Sequence, residues 1–292
     1  MKTAILTDTN SGISSKEAES LGIFSIPMPV IIDGREYFED ENLTRDEFMQ
    51  ALVEKKDVTT SMPSLGDVLD TWDRILDQGY DEIVYIPMSS TLSSSLSSAK
   101  SYLDEDSYKG RVFLVDNQRI SVTQRISVLD AKRLADEGKS GSEIEEILVR
   151  TKKDAVVYLG VDTLEYFMKG GRAKQTAASL VSNILNVKPI LKTDGDKFEP
   201  VTAVRGKKKC GVKLMEYLRY EIETRFPEAG KEELILATAG SFVENKDAED
   251  WYATVKEQFP QYEIFYNHLS CSICCHTGPN SFGVSVMRRC HI

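Results

Sequence analysis

The first half of the chain alternates short apolar runs with segments whose apolar residues have helical spacing. The apolar runs at 3–6, 83–88 and 111–115 predict buried strands, and the stripes at 65–76 and 127–135 predict amphipathic helices. Strands that alternate with helices are typical of an α/β domain with a mostly parallel sheet. In such sheets, ligands bind beyond the carboxyl ends of the strands.

Three other segments complete the pattern of the first half. The apolar run at 23–32 leads through Asp33-Gly34 into 35–38, which predicts a β-hairpin. Residues 44–52 have helical spacing, and residues 59–64 are polar and predict a loop.

The second half is organised differently, with strands that follow one another more closely. Apolar runs predict an antiparallel hairpin from 187–191 and 198–204, and a closing strand at 282–287. Helices are predicted at 177–185 and 211–225. This order of elements is typical of an α+β fold.

The change of pattern predicts two domains. With 292 residues, the chain is long enough to form two cores. We place the boundary near Asp154, which gives an N-terminal, mostly parallel α/β domain at 1–153 and a C-terminal α+β domain at 154–292.

Composition narrows the class of protein. Hydrophobic residues make up 41% and charged residues 28% of the chain, as in globular proteins. The net charge of −10 disfavours nucleic acid as the main partner, because nucleic-acid binding uses a broad basic face. The first residues lack the apolar region of a signal peptide, and no apolar stretch reaches the ~20 residues of a membrane helix. We therefore expect a cytoplasmic protein.

A run of hydroxyl side chains is the strongest chemical signal in the sequence. Seven serines and one threonine occupy the ten positions from Ser89 to Ser98, directly after a predicted strand. A helix that runs from this turn toward Leu103 would offer unpaired N–H groups and a partial positive charge to a carboxylate or phosphate. The turn contains no lysine or arginine, so its donors are neutral. Serine-rich turns also simply cap helices, and this alternative stays open.

Two other polar residues follow predicted strand ends. Asp8 and Asn117 come after the strands at 3–6 and 111–115, so both are expected at the edge of the sheet that carries the serine turn. For Asp8 we expect a structural role, either capping the helix that starts near Ser14 or ordering the loops.

The five cysteines are odd in number and late in the chain, which favours free thiols over a disulfide framework. Cys271, Cys274, Cys275 and His276 are close enough in sequence to suggest a zinc site. However, no second Cys-x-x-Cys pair exists, and adjacent cysteines on a strand would point apart. We therefore predict buried thiols and no bound metal.

Six short motifs follow one another along nearly the whole chain. They are Thr7-Asp8-Thr9, Thr60–Ser64, Ser89–Ser95, Lys169–Arg172, the KPIL, DG and RG elements between Lys188 and Gly206, and His276–Pro279. Each is weak alone, but in this order they resemble the DegV family of bacterial fatty-acid-binding proteins. The chain departs from the family pattern at Ser93-Ser94-Ser95, where SGT is usual, at Asp116-Asn117, where DS is usual, and at Met62, where Gln is frequent.

The resemblance implies a single fatty acid between two domains, with its acyl chain in an apolar tunnel and its carboxyl group at the hydroxyl-bearing loops. Arg172 offers planar donors suited to a carboxylate, and His276 offers a hydrogen bond to the head group or help to a partner's phosphoryl transfer. The candidate ligand-binding residues are Thr60, Ser61, Ser93, Ser94, Asn117, Arg172 and His276. The candidate tunnel residues, which ordinary core packing explains equally well, are Ala177, Leu180, Val181, Ile184 and Leu185.

The resemblance also implies a lipid carrier rather than an enzyme, with no cofactor besides the bound fatty acid. Proteins of this kind present the acid to a separate acyl kinase, which makes an acyl phosphate for phospholipid synthesis. The basic run Lys207–Lys209 is either a solvated helix start or a contact for an acidic partner or anionic lipid, which allows transient membrane contact.

Two alternatives belong to other classes of protein. The first is a serine-dependent hydrolase or acyltransferase that uses the Ser89–Ser98 turn with His276 as base, although the chain has no G-x-S-x-G elbow. The second is a zinc or redox protein based on the late cysteines. Walker A and dinucleotide-binding fingerprints are absent from the sequence, so a nucleotide enzyme is not favoured.

Overall fold

The computed structural model describes residues 2–172 and 186–290. Its strands are β1 (Thr3–Asp8), β2 (Phe24–Ile26), β3 (Pro29–Ile32), β4 (Arg35–Phe38), β5 (Val58–Thr60), β6 (Glu82–Ile86), β7 (Val112–Leu114), β8 (Ala155–Gly160), β9 (Val187–Thr193), β10 (Glu199–Arg205), β11 (Leu234–Gly240), β12 (Glu263–His268) and β13 (Phe282–Arg288). Its α-helices are α1 (Ser15–Leu21), α2 (Arg45–Val53), α3 (Leu65–Asp77), α4 (Ser95–Lys100), α5 (Val122–Asp136), α6 (Gly141–Arg150), α7 (Glu165–Gly170), α8 (Lys207–Arg225), α9 (Asn245–Gln258) and α10 (Cys271–Thr277).

The first sheet is parallel and has the strand order β2-β1-β6-β7. All five residues of β6 are buried, because helices cover both faces of the sheet. Trp72 and Ile75 of α3 pack on one face, and Val128 of α5 and Ile144 of α6 pack on the other. This arrangement confirms the predicted α/β fold, and it brings the turns after β1, β6 and β7 to the same edge.

A separate antiparallel sheet has the order β4-β3-β5 and was only partly predicted. The hairpin of β3 and β4 is confirmed, but the apolar run at 23–32 forms two strands in different sheets. Pro27 lies between these strands and has no N–H group to donate to a ladder. The predicted loop at 59–64 is wrong at its start, because Thr59 and Thr60 pair with Ile31 and Val30.

The third sheet is mixed, with the order β10-β9-β8-β13-β11-β12. Among its described strands only β11 and β12 are parallel, and the predicted hairpin of β9 and β10 is confirmed. Helices α8 and α9 pack on one face, where Leu214, Leu218 and Trp251 join the core. This mixture of strand directions confirms the predicted α+β character of the second half.

The division between the sheets lies near the predicted domain boundary, but the apolar clusters extend across it. Every strand before Asp154 belongs to the parallel or the small sheet, and every described strand after it belongs to the mixed sheet. One apolar cluster joins Val30 and Phe48 to Ile273 and Met287, and another places Cys290 against the parallel sheet. The division into domains at 1–153 and 154–292 therefore stays a prediction.

Two local predictions are wrong. Helix α4 ends at Lys100 rather than near Leu103. The cysteine segment is the helix α10 instead of a strand, and Ser270 caps it by accepting a hydrogen bond from the Ile273 N–H. The proposed tunnel residues Ala177, Leu180, Val181, Ile184 and Leu185 lie outside the described residues.

Candidate functional site

A cavity lies where the three sheets meet, and the empty space within it, part of which is open to solvent, is about 830 Å³. The turns after β1 and β6 and the loop before α5 form one wall, while β8, β13 and α10 form the opposite wall. Most of the lining is apolar and includes Met28, Met88, Leu92, Val157, Leu159 and Phe167. A cavity with an apolar lining and few polar groups is typical of a small-molecule site.

Five of the seven predicted ligand-binding residues line this cavity. They are Thr60, Ser61, Ser93, Arg172 and His276, and they come from four separate segments of the chain. The structure brings them to one cavity because β5, the serine turn, the end of α7 and helix α10 converge there. Their roles toward a ligand stay predictions.

The hydroxyl groups of Thr60, Ser61 and Ser93 differ in the hydrogen bonds that they can still form with a ligand. Thr60 donates its proton to the Pro29 carbonyl at 2.6 Å, so its oxygen remains an acceptor. Ser93 accepts from the Ser95 N–H at 3.2 Å and shares a hydrogen bond with the Ser95 hydroxyl at 2.9 Å. The exposed Ser61 hydroxyl has no hydrogen bond within the described part of the chain, so it is free to donate.

Arg172 brings a positive charge to the cavity. Its Nε donates to the Leu92 carbonyl at 3.3 Å, and its Nη1 donates to the Gly170 carbonyl. No carboxylate of residues 2–172 or 186–290 pairs with it, and partial burial lowers the pKa of the guanidinium. Because an arginine keeps its proton in proteins, this is a charge in the cavity wall that no carboxylate of the described residues compensates.

His276, which belongs to α10, lies beside Arg172. Burial, reinforced by the charge of Arg172, lowers the pKa of the imidazole to about 4, so the ring is neutral near pH 7. Its Nε2 is buried and has no hydrogen-bond partner among the described residues. The ring packs against Gly170, where a Cβ would overlap Nδ1, so this position of the Lys169–Arg172 motif has no room for a side chain.

The structure does not bring Ser94 or Asn117 to the cavity wall. Ser94 is exposed at the start of α4, where its carbonyl accepts from the Ser98 N–H at 3.0 Å. Asn117 is fully buried, and its amide donates to the Ser127 hydroxyl on α5. Both residues lie away from the wall because sequence position beside a strand end does not fix side-chain direction.

Asp8 has the second of the two structural roles predicted for it, which is to order the loops. Its carboxylate accepts from the Asn10 N–H at 3.0 Å, the Met88 N–H at 2.9 Å and the Gln124 amide at 3.1 Å. It therefore ties the turn after β1 to the turn after β6, and it caps the 3₁₀ turn Thr9–Ser11 rather than α1. Burial raises the pKa of Asp8, and the hydrogen bonds oppose that rise.

Four polar residues of the wall were not predicted from the sequence. Asn10, Ser121, Ser272 and Thr277 all line the cavity. Asn10 lies in a turn that was expected at the ligand-binding edge, so its position was a usable signal. Thr277 lies within the His276–Pro279 motif, whereas Ser272 gave no signal, because the segment around it was not expected to be a helix.

The described residues give no support to a metal site. Within 2–172 and 186–290, no three His, Cys, Asp or Glu side chains are grouped to hold a metal ion. Burial raises the pKa of Cys274 to about 12, and the pKa values of Cys271 and Cys275 are raised further.

None of the helices in residues 2–172 and 186–290 is long and apolar enough to cross a membrane.

Fold and cavity together define a class: an α/β protein with three sheets around an apolar cavity that has one cationic wall. The sequence model described as "Uncharacterised protein, DegV family" matches residues 2–289, and the chain belongs to the DegV family. A DegV domain-containing protein of Caldanaerobacter subterraneus is 28% identical over 97% of this chain and 98% of its own length.

Two solved structures are similar over almost the full chain. A DegV family protein from Thermus thermophilus, described by its fatty acid binding, has 28% identity and a TM-score of 0.85, covering 99% of this chain and 100% of that one. DegV of Bacillus subtilis, described as a fatty acid binding protein, has 25% identity and a TM-score of 0.83, covering 99% of each chain.

Proposed function

We propose that this protein binds one long-chain fatty acid in the cavity, with the carboxyl group beside Arg172 and His276. The observation that carries the proposal is the uncompensated charge of Arg172 in an otherwise largely apolar wall. Burying an ionised carboxylate is costly unless donors replace its water, and a guanidinium supplies charged donors. The fatty acid binding of the Thermus thermophilus and Bacillus subtilis proteins supports the same function.

Hydroxyl groups complete the proposed head-group site. Ser61 has a free proton to donate, and the neutral His276 ring can donate from Nε2 in one of its two tautomers. Thr60 has already used its proton on Pro29 and serves as an acceptor, which suits a protonated carboxyl group. The set therefore accommodates the acid in either protonation state.

The acyl chain supplies most of the affinity in this proposal. At ~0.8 kcal/mol per buried CH₂, a chain of about sixteen carbons contributes on the order of 12 kcal/mol before ordering costs. Such a ligand stays bound through purification.

The proposal includes a carrier role without catalysis. The protein presents the acid to a separate acyl kinase for phospholipid synthesis, and it contacts the membrane transiently when it loads. Met62 is part of the cavity wall and 43% accessible, so loading takes place at this exposed side of the cavity.

The hydrolase alternative has weaker geometry. A nucleophilic serine needs a base within hydrogen-bond reach, but the Ser93 hydroxyl pairs with Ser95 and the Nε2 of His276 has no partner among the described residues. The Ser93→Ala variant separates the two functions. A carrier binds the acid more weakly, whereas an enzyme loses turnover of an ester substrate.

Mass spectrometry of the freshly purified protein tests the proposal. We expect a native mass larger than the chain by one fatty acid, which denaturation removes and solvent extraction recovers. The Arg172→Gln variant, purified in parallel, should retain less acid. A lipid-free mass for the wild type, with no uptake of added fatty acid, would reject fatty-acid binding and direct attention to ester substrates.

A further inference from the structure

Met62 differs from two other methionines of the cavity wall in its exposure to solvent. Met62 is 43% accessible, whereas Met28 and Met88 are 3% and 7% accessible, and all three line the cavity. Met168 on α7 is 39% accessible, but it is not part of the cavity wall. Met62 therefore combines a place in the wall with access from solvent.

A hydroxyl group contacts the sulfur of this exposed side chain. The Ser98 hydroxyl on α4 donates to the Met62 sulfur, Sδ, at 3.5 Å. A thioether sulfur is a weak acceptor, so this hydrogen bond holds the flexible side chain only loosely. A stronger acceptor on the same sulfur would hold the side chain beside Ser98.

We propose, on the basis of the proposed fatty-acid binding, that Met62 is a site of reversible oxidation that controls retention of the acid. The oxidant is hydrogen peroxide. The sulfur lone pair forms a bond to one peroxide oxygen, the O–O bond breaks, and the leaving hydroxide takes up the proton of the transferred oxygen. The products are methionine sulfoxide and water, so the two electrons lost by the sulfur reduce the peroxide. Methionine sulfoxide reductases reverse the step with two electrons from a dithiol, which becomes a disulfide.

The cysteines of the chain compete poorly for the peroxide. All five are buried, and burial raises the pKa of each thiol. Because the thiolate is the reactive form, these thiols react slowly. Within the described part of the chain, we therefore expect oxidation first at the exposed methionines Met62 and Met168.

Oxidation of Met62 changes the cavity wall at its exposed side. The sulfoxide turns a flexible apolar side chain into a polar one, so the acyl chain loses part of its apolar contact. The sulfoxide oxygen is also a stronger acceptor than the thioether sulfur for the Ser98 hydroxyl, which draws the side chain toward α4. Both changes favour release of the acid.

A peroxide titration of the lipid-free, full-length protein tests the inference. Peptide mass spectrometry follows oxidation at each methionine, and a titration with octadecanoic acid measures the affinity. We expect Met62 to be oxidised before the buried Met28 and Met88, and the affinity to fall roughly 3- to 10-fold as Met62 is oxidised. Treatment with methionine sulfoxide reductases and dithiothreitol should restore the affinity. Saturating octadecanoic acid should slow the oxidation of Met62 but not that of Met168.

Three variants identify the residue responsible. Met168→Leu is the matched control for an exposed methionine outside the cavity wall, and it should lose affinity on oxidation as the wild type does. Met62→Leu has no sulfur at this position, so peroxide treatment should not change its affinity. Met62→Gln carries a carbonyl in place of the sulfoxide and should bind as weakly as the oxidised wild type.

Two results would overturn the inference while fatty-acid binding stands. One is an unchanged affinity in wild-type protein whose Met62 is fully oxidised, which is decisive even if no variant folds. The other is a loss of affinity on peroxide treatment of Met62→Leu that equals the loss in the wild type. If the untreated wild type binds no acid at all, the proposed function itself fails.

Discussion

Two half-buried arginines, Arg172 and Arg225, have opposite surroundings. Arg225 donates to Glu221 at 2.7 Å and to Asp194 at 3.1 Å, so two carboxylates balance its charge. Arg172 donates only to backbone carbonyls among the described residues. Under the proposed function, Arg225 holds the fold together, whereas Arg172 keeps its charge for the ligand.

Around Arg225, the protein has assembled a complete network. Glu221 has a side chain that is 4% accessible, and it also accepts from the Tyr158 hydroxyl at 2.6 Å and pairs with Lys192 at 2.9 Å. Burial alone would raise the pKa of Glu221, but the hydrogen bonds from Arg225, Tyr158 and Lys192 outweigh burial and lower it. Around Arg172, the Nε2 of His276, unpaired among the described residues, shows that the arrangement is still incomplete.

The largest effect should come from breaking the complete network with Glu221→Gln. This change leaves Arg225 and Lys192 without their shared buried carboxylate, so the free energy of unfolding should fall by about 2–4 kcal/mol. The fatty-acid affinity of the folded protein should stay within about twofold of the wild type, because this network does not line the cavity. Urea denaturation of lipid-free protein and a fatty-acid titration measure the two quantities.

Glu216→Gln is the control for that prediction. Its ion pair with Lys213 is exposed on the same helix, α8, so its loss should cost less than about 0.5 kcal/mol. Equal destabilisation by the two variants would contradict the idea that burial makes the Glu221 network structural.

Arg172→Gln, which removes the unpaired charge, should weaken fatty-acid binding without lowering stability. This is the reverse of the pattern expected for Glu221→Gln. Losing charge-assisted hydrogen bonds to a carboxylate weakens fatty-acid binding by about 1.5–3 kcal/mol, or roughly 10- to 150-fold. The lipid-free protein should unfold at a urea concentration equal to or above that of the wild type, since the substitution removes an uncompensated charge. Arg172→Lys should restore part of the affinity, because it returns the charge without the planar fork.

An unchanged affinity in Arg172→Gln would place the carboxyl group elsewhere in the cavity. A large loss of stability without any loss of affinity would make Arg172 a structural residue like Arg225. Either result would remove the contrast between the two arginines.

The sequence predicted much of this site because its residues lie in motifs next to strand ends. Alternation of strands and helices placed the serine turn at the edge of the parallel sheet, and Ser93 lies in the cavity wall. Asn117 shows the limit, because its turn was located but its side chain points to Ser127. Helix α10 shows another limit: it has seven residues, too few for local propensity to form a stable helix, so tertiary burial of Ile273 and the cysteines determines it.

The smallest expected effect concerns the protonation of His276. It makes stability depend on pH, and this dependence distinguishes the incomplete site around Arg172 from the complete network around Arg225. The pKa of His276 is about 4 in the folded protein and about 6.5 in the unfolded chain. Between these values the unfolded chain binds a proton that the folded protein does not. Stability therefore falls as the pH is lowered, by about 1–2 kcal/mol from pH 6.5 to pH 5.

His276→Gln should flatten this part of the stability curve of lipid-free protein, measured by urea denaturation at a series of pH values. His268→Gln is the matched control: the pKa of His268 is also lowered by partial burial, but its side chain is exposed to solvent. Solvent screening should make that lowering, and therefore the contribution of His268 to the slope, smaller than that of His276. A saturating fatty acid should reduce the wild-type slope, since a carboxylate beside His276 favours the protonated ring and raises its pKa. If saturating ligand leaves the slope unaltered, the carboxyl group does not reach His276. The charge of Arg172 would then be paired without any contribution from His276.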